Sequence, residues 1–314
     1  MAAPLRVGTR GSDLARTQSG QAAALLEASG ESTEMVIVRT SGDRLSKVSL
    51  AKVGGKGLFI KELEEALLSD EIDMAIHSMK DVPATLPDGF ILGAIGARVD
   101  ERDVLVRSRE FQGPEEGLDG LPQGARVGTG SLRRRAQLAS LRPDLEVVAI
   151  RGNVDTRLGL LDGEDMDAVV LAAAGIQRLG LDVQVHPLAS EKFLPAAGQG
   201  ILAIEIRAND EATRRRLAPL HDPAAATAAA AERAFVHALD ASCTAPVAAW
   251  CRAEETHLRC DGLVASLDGQ NILRTTLTAA PEEAAWLGRE VASRLLDQGA
   301  AEILAEVERA IWAN

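Results

Sequence analysis

The sequence predicts an α/β protein with two similar domains facing each other across a cleft and a smaller α+β domain at the C-terminal end. Three observations predict it. Over the first 200 residues short β-rich runs alternate with helical stretches, the pattern of strands covered by helices. That alternation occurs twice with similar local sequence: Arg6-Val7-Gly8-Thr9 returns as Arg126-Val127-Gly128-Thr129, Arg39-Thr40-Ser41-Gly42-Asp43 has a counterpart in Arg151-Gly152-Asn153-Val154-Asp155, and Asp73-Met74-Ala75-Ile76 has one in Asp167-Ala168-Val169-Val170. Beyond Pro223 the character changes to an Ala-rich helix, three β-like runs and two closing helices. The order of the repeated segments is shared but their spacings differ, so chance similarity between βα units stands as the competing reading.

Taken in order, Leu5–Thr9 reads as a strand and Asp13–Ala28 as a helix with Ser12 at its N-cap. Met35–Arg39 reads as a strand, and Thr40–Gly57, rich in Gly, Lys and Ser, as a mobile loop. Leu58–Leu68 has an amphipathic helical pattern, and Asp73–His77 is a strand. The second round places strands at Arg126–Thr129, Leu145–Ile150 and Ala168–Leu171, with helices at Ser131–Leu141 and Asp155–Leu161. Such alternation implies largely parallel strands. Ser108–Gly124, rich in Pro, Gly and acids, is either a domain boundary or a surface loop just inside the second domain. The tail predicts a helix from Pro223 to Leu239, strands near Val247–Cys251, Thr256–Val264 and Ile272–Leu277, and helices from Pro281 and Ala300.

The 314 residues exceed one ordinary core. Tyrosine is absent and aromatics make up 3%, so the cores must be aliphatic, and the composition argues against a stacked-base RNA surface. A net charge of −12 disfavours attraction to nucleic acid or to anionic lipid; any anionic ligand must be held by a local basic cluster. The three cysteines, Cys243, Cys251 and Cys260, are odd in number and show no CxxC spacing, which argues against a disulfide framework or a structural zinc site. No apolar run of about 18 residues is present, and Met1–Ser12 lacks the apolar segment of a signal peptide. The expected compartment is the cytosol.

The strongest chemical signal is basic clustering. Residues 126–157 hold seven arginines, no lysine and three acids. Arg133 and Arg134 fall in the first turn of a helix, where positive side chains oppose the helix dipole. Guanidinium groups gathered at a helix start suit a bidentate grip on carboxylate or phosphate; a solvated face paired with acids is the alternative, most of all for Arg126, Arg135 and Arg142. Arg10, ahead of Gly11-Ser12, holds the matching place in the first round. His77-Ser78-Met79-Lys80-Asp81-Val82-Pro83 follows a strand, and ligands of open α/β sheets lie beyond the carboxyl ends of strands. Asp81 is placed there to stabilise a developing cation or relay a proton, although an Asp before Val-Pro is more often a turn-former; His77 reads as structural. Cys243 follows a helix end, where a thiol can be exposed and reactive, but a lone cysteine is usually inert. Ser49-Leu50-Ala51-Lys52 fits SxxK without its companion motifs, and the Gly55-Lys56 pair lacks the rest of a Walker A loop.

Seven segments, in order and across nearly the whole chain, resemble the porphobilinogen deaminase family: Thr9-Arg10-Gly11-Ser12, Ala51 to Phe59 (AKVGGKGLF), His77–Pro83, Val127 to Arg134 (VGTGSLRR), Arg151 to Leu158 (RGNVDTRL), Ala174 to Gly180 (AGIQRLG) and Leu194 to Gly200 (LPAAGQG). The resemblance implies three domains: residues 1–98 with 200–218, residues 103–195, and residues 222–314. The first two would be similar to type II periplasmic binding proteins, with the lid loop and Asp81 in the first and an arginine-rich carboxylate-binding face in the second. It implies a transferase that condenses four porphobilinogen molecules head to tail with loss of ammonia, then releases hydroxymethylbilane by hydrolysis. A dipyrromethane cofactor would be joined by a thioether to Cys243, although Ala241-Ser242 stands where the family usually has Gly-Gly. Asp81 matches the catalytic aspartate. Asp43, Ser12, Lys80, Thr129, Ser131, Arg133, Arg134 and Gln199 match cofactor-contacting positions. Arg10, Arg151, Arg157, Arg178 and Lys56 match substrate-binding ones, with Lys52 beside Lys56 on the lid. The resemblance further implies a monomer that needs no metal, nucleic acid or membrane. A non-catalytic receptor for small anions shares the two-domain cleft and is the rival reading. A DNA-binding ligand sensor is remote, because no basic helix-turn-helix is present.

Overall fold

The computed structural model describes residues 3–39, 60–111, 117–163, 165–241 and 245–312. The first round of the chain gives β1 (Leu5–Thr9), α1 (Asp13–Ala28), β2 (Thr33–Ile37), α2 (Lys61–Leu68), β3 (Met74–Ser78) and β4 (Phe90–Ile95). The second gives β5 (Asp103–Arg107), β6 (Arg126–Gly128), α3 (Leu132–Leu141), β7 (Glu146–Val148), α4 (Val154–Leu158), β8 (Ala168–Ala172), α5 (Ala173–Leu179) and β9 (His186–Leu188). There follow β10 (Leu202–Arg207), α6 (Glu211–Arg216), α7 (Pro223–Ala238), β11 (Val247–Glu254), β12 (His257–Ala265), β13 (Ile272–Ala279), α8 (Ala284–Asp297) and α9 (Ala300–Trp312).

These strands form three sheets, ordered β2-β1-β3-β10-β4, β7-β6-β8-β5-β9 and β11-β12-β13. The first two have one topology. In each, one strand comes from the chain's passage out of the other unit: β10 enters the first sheet after the second is built, and β5 enters the second after the first. The internal repeat is therefore structural. It extends to a cross-link: Asp73 accepts from the backbone N–H of Arg6 at 2.8 Å, and Asp167 accepts from that of Arg126 at 2.6 Å. Both helix starts are capped alike, Ser12 accepting from Ala15 N–H and Ser131 from Arg134 N–H.

The strands are largely parallel, as expected: in each of the first two sheets four of the five run one way and a single strand is reversed. β10 runs antiparallel to both β3 and β4, and β5 antiparallel to β8 and β9. A strand that arrives from the opposite domain enters the sheet from the far end, so its direction is reversed; periodicity within the strand carries no trace of this. β5 and β6, which flank Ser108–Gly124, both pair with β8, so the described residues on either side of the segment belong to one sheet.

The third sheet is an antiparallel meander, with α7 and α8 packed on one face. Its register sets Cys251 opposite Cys260, with Cα atoms 4.1 Å apart, and the two are joined as a disulfide. This corrects the reading of the cysteine count. Nine residues of separation mean nothing by themselves, and only the hairpin register makes the two side chains neighbours.

The cores are aliphatic as composition requires, with Phe193 and Phe235 the largest fully buried side chains. Two apolar clusters bind the third unit to the others. Ala136 and Leu194 pack with Ala248, Leu263 and Ala265. Met79, Val82, Ile95 and Ile201 pack with Ala225 and Ala229 of α7. At the crossing between the first two units, the fully buried Glu232 of α7 accepts from Arg98 Nη2 at 2.6 Å, Gly198 N–H at 2.6 Å and Cys251 N–H at 2.7 Å. One carboxylate thus ties both crossing segments to the third domain.

Candidate active site

β3 is a buried strand whose carboxyl end delivers a 3₁₀ turn, Met79–Asp81. Met79 is the anchor, 2% exposed, while Asp81 is exposed and Lys80 half-buried. The segment that returns from the second unit presses on this turn. Met79 N–H donates to Ile201 O at 3.0 Å. Gly198 has φ +73°, and a Cβ there would overlap Met79 Cγ; only glycine permits both the conformation and the approach.

Behind the turn runs a buried polar chain. Lys80 Nζ donates to Gln199 Oε1 at 3.4 Å, and Gln199 Nε2 donates to Asp103 Oδ1 at 2.9 Å. Asp103 Oδ2 accepts from Arg133 Nη1 at 2.6 Å, while its Oδ1 accepts from Arg134 Nη2 at 2.8 Å and Nε at 3.1 Å. Arg133 also donates to Leu194 O at 2.6 Å, and Arg134 to Val170 O at 2.8 Å. The two arginines that oppose the dipole of α3 are therefore buried at 4% and 5% exposure, and Asp103 compensates them. Burial pushes the Asp103 carboxyl up, but the charges of Arg133 and Arg134 override it and hold the group well below the usual carboxylate range. Burial also pushes the Lys80 ammonium down to about 8, with Asp81 opposing and Arg134 adding to the shift.

Across the cleft, Arg157 of α4 is half-buried and donates through Nε to Gly152 O at 2.8 Å. Burial lowers its guanidinium below the ordinary value, Arg134 adds to this, and Asp81 opposes it. Arg10 is half-buried ahead of α1, and Arg151 is exposed ahead of α4. Arg178 of α5 is buried, donates to Gly200 O at 2.8 Å, and is pulled down to about 10 by burial. Thr129 is buried, and its Oγ1 accepts from Ser131 N–H at 3.2 Å. Ser12 and Ser131 are the helix caps already described. Arg126 pairs with Asp165 and Glu146, and Arg142 with Asp144, on the surface. Cys243, Asp43, Lys52 and Lys56 lie outside the described residues. Among the described residues, no group of three or more His, Cys, Asp or Glu could hold a metal ion.

Sequence reasoning missed Asp103 and Glu205. Glu205 is fully buried, and its Oε2 meets His77 Nε2 at 2.8 Å beneath the turn. Each is the only acid in a strand that is otherwise apolar up to a closing arginine, DVLVR and LAIEIR. A lone carboxylate in a strand too apolar to face water is a signal of a buried partner.

Fold and site together define a three-domain α/β protein: two domains of one strand order, a buried polar network behind the Met79–Asp81 turn, and a smaller third domain docked on both. Residues 5–215 match the family model described as "Porphobilinogen deaminase, dipyromethane cofactor binding domain", and residues 226–297 match "Porphobilinogen deaminase, C-terminal domain". The porphobilinogen deaminase of Syntrophobacter fumaroxidans is 47% identical over 309 residues, covering 98% of each chain. That of Moorella thermoacetica is 47% identical over 307 residues, covering 97% of this chain and 96% of its own. The chain belongs to the porphobilinogen deaminase family. Among solved structures, the methionine binding protein MetQ is 13% identical, with a TM-score of 0.41 over 68% of this chain and 87% of its own; so loose a likeness adds nothing to the fold read from the strand order.

Proposed function

We propose that this chain carries out the reaction of its family: stepwise joining of porphobilinogen units with loss of ammonia, followed by hydrolytic release of the linear tetrapyrrole. The observation that supports it best is the exposed Asp81 carboxylate, carried beyond β3 on a 3₁₀ turn whose backbone is fixed through Met79 by Ile201 and Gly198. In each condensation the C–N bond to the departing amine breaks, a C–C bond forms, and the attacked pyrrole carbon loses a proton. Asp81 would stabilise the cation that develops on the substrate as ammonia leaves and would take up that proton. Each pyrrole unit carries an acetate and a propionate, and the cationic side chains of Arg10, Arg151 and Arg157 suit such ligands. Arg178 and Lys56 complete the substrate set carried over from the family.

The donor set also fits a carboxylate-bearing cofactor. Lys80 is joined through Gln199 and Asp103 to the guanidinium pair Arg133 and Arg134, and Ser131 caps the helix that carries that pair; Ser12 and Thr129 complete the set carried over from the family. They would hold the dipyrromethane, together with Asp43 and the thioether at Cys243. When bound, this group supplies the free pyrrole position to which the first substrate is joined. Arg133 and Arg134, held as a pair by Asp103, would supply positive charge to its carboxylates. A monomeric state and the cytosol as working compartment are carried over from the family resemblance; no helix among the described residues is long and apolar enough to cross a membrane.

The test is intact mass together with turnover. The purified protein is expected to carry the added mass of two linked pyrrole units, and Cys243→Ser to lack it. Asp81→Asn is expected to keep that mass and lose nearly all turnover. Normal turnover in Asp81→Asn would overturn its role, and a full cofactor mass on Cys243→Ser would overturn the attachment site.

A further inference from the structure

We propose that Arg233, contributed by α7 of the third domain, is a positioning residue for the Met79–Asp81 turn of the first domain. The inference rests on the reading of Asp81 given above. Arg233 Nη2 donates to Ala84 O at 2.9 Å, and its Nη1 lies 3.9 Å from Met79 Sδ. The two contacts fall on either side of Lys80 and Asp81, so one planar guanidinium clasps the turn at both ends. The flanks of the same turn, Met79 and Val82, pack on α7 through Ala225 and Ala229. The helix that carries Arg233 therefore supplies both the apolar floor and the polar clasp.

A purely structural surface arginine would be paired or solvated. Among the described residues Arg233 forms no ion pair, and burial draws its guanidinium below the ordinary value, opposed by Glu205. Glu205 is itself fully buried and is occupied through Oε2 by His77, on the strand that leads into the turn. Ser78, next along, accepts from Gln18 Nε2 at 2.9 Å. The strand end is thus held from within its own domain, and the turn beyond it is held from the third. A half-buried cation without an ion-pair partner is retained at a cost. Here it meets the Ala84 carbonyl just past the turn and the Met79 sulfur at its start. Arg233 does not touch Asp81. It acts by fixing the backbone from which the carboxylate projects, and the same helix leads on in sequence to the segment bearing Cys243.

Arg233→Met keeps the length and removes the donors; Arg233→Lys keeps one donor within reach of Ala84 O. Both are measured as cofactor-loaded enzyme beside Asp81→Asn, for kcat, KM for porphobilinogen, thermal unfolding and intact mass. Arg233→Met is expected to keep its cofactor mass and KM and to lose kcat by about 10- to 100-fold, the cost of a misplaced catalytic group. Arg233→Lys is expected to recover part of that loss. An unchanged kcat in Arg233→Met overturns the proposal. So does a loss confined to KM, or one that vanishes when activity is expressed per folded, loaded molecule. If Asp81→Asn turns over normally, the reading of Asp81 fails instead, whatever Arg233→Met shows.

Discussion

Replacing Asp103 by asparagine removes one charge and almost no volume, which makes it a sharp probe of the buried network. In the native site Asp103 accepts from Arg133 through Oδ2 and from Arg134 and Gln199 through Oδ1. The asparagine oxygen can keep only one of these sides. If it stays with Arg134 and Gln199, the amide group points its own hydrogens at Arg133 Nη1. Two guanidinium groups, each about 5% exposed, are left without a counter-charge. Removing one partner of a buried pair costs about 3–5 kcal/mol, so Asp103→Asn is expected to lose about that much by urea unfolding. Because the folded-state carboxyl is held low, its stabilisation is present above the unfolded value near 4 and is lost only as pH falls further. The gap between native protein and variant should therefore be level from about pH 5 to 7, below the titration of Lys80, and close in acid. A variant within about 1 kcal/mol of the native protein at pH 7 would refute the assignment of Asp103 as the shared counter-ion.

Two further outcomes test the elements around the turn. Lys80, pushed down to about 8 by burial, is held charged below that pH at a cost of about 1–3 kcal/mol, discounted for its partial exposure. Its proton leaves the folded state before the unfolded chain releases one near 10.5, so native stability rises relative to Lys80→Met between those values. Lys80→Met should be the more stable at pH 7 and lose that advantage by pH 10; a pH-independent difference in urea midpoints would contradict this. Gly198→Ala should cost about 1–2 kcal/mol in backbone strain and reduce kcat about 10- to 100-fold by displacing Met79. Gly30→Ala, at φ +95° with open space around it, should show the strain without the kinetic loss. Equal kinetics in the two variants would show that the contact with Met79 does not govern the turn.

Much of the architecture was legible in the sequence because it is local. Leu5–Thr9 is a strand and Pro223–Ala238 a helix, as alternation and alanine content indicate. Ser12 caps α1 as its place before Asp13 suggests. The doubled Arg-Val-Gly-Thr, which chance could have produced, marks equivalent strands with the same Arg–Asp cross-link. Strands β4, β5, β9 and β10 carried no motif and were not anticipated. The direction of β5 and β10 and the Cys251–Cys260 pairing depend on where distant segments meet, and residue order alone does not encode that.

The division is clearest at the site. The sequence by itself determined which groups could act: a carboxylate after a strand, arginines at helix starts, a cysteine past a helix end, all following from side-chain chemistry and short-range geometry. Only the tertiary structure decided how these groups are held. It turned Arg133 and Arg134 inward onto Asp103, tied Lys80 to that pair through Gln199, and brought Arg233 from another domain to clasp the turn. The physical reason is burial. A charge taken out of water needs a partner from wherever the fold can bring one, and these partners come from residues far apart along the chain.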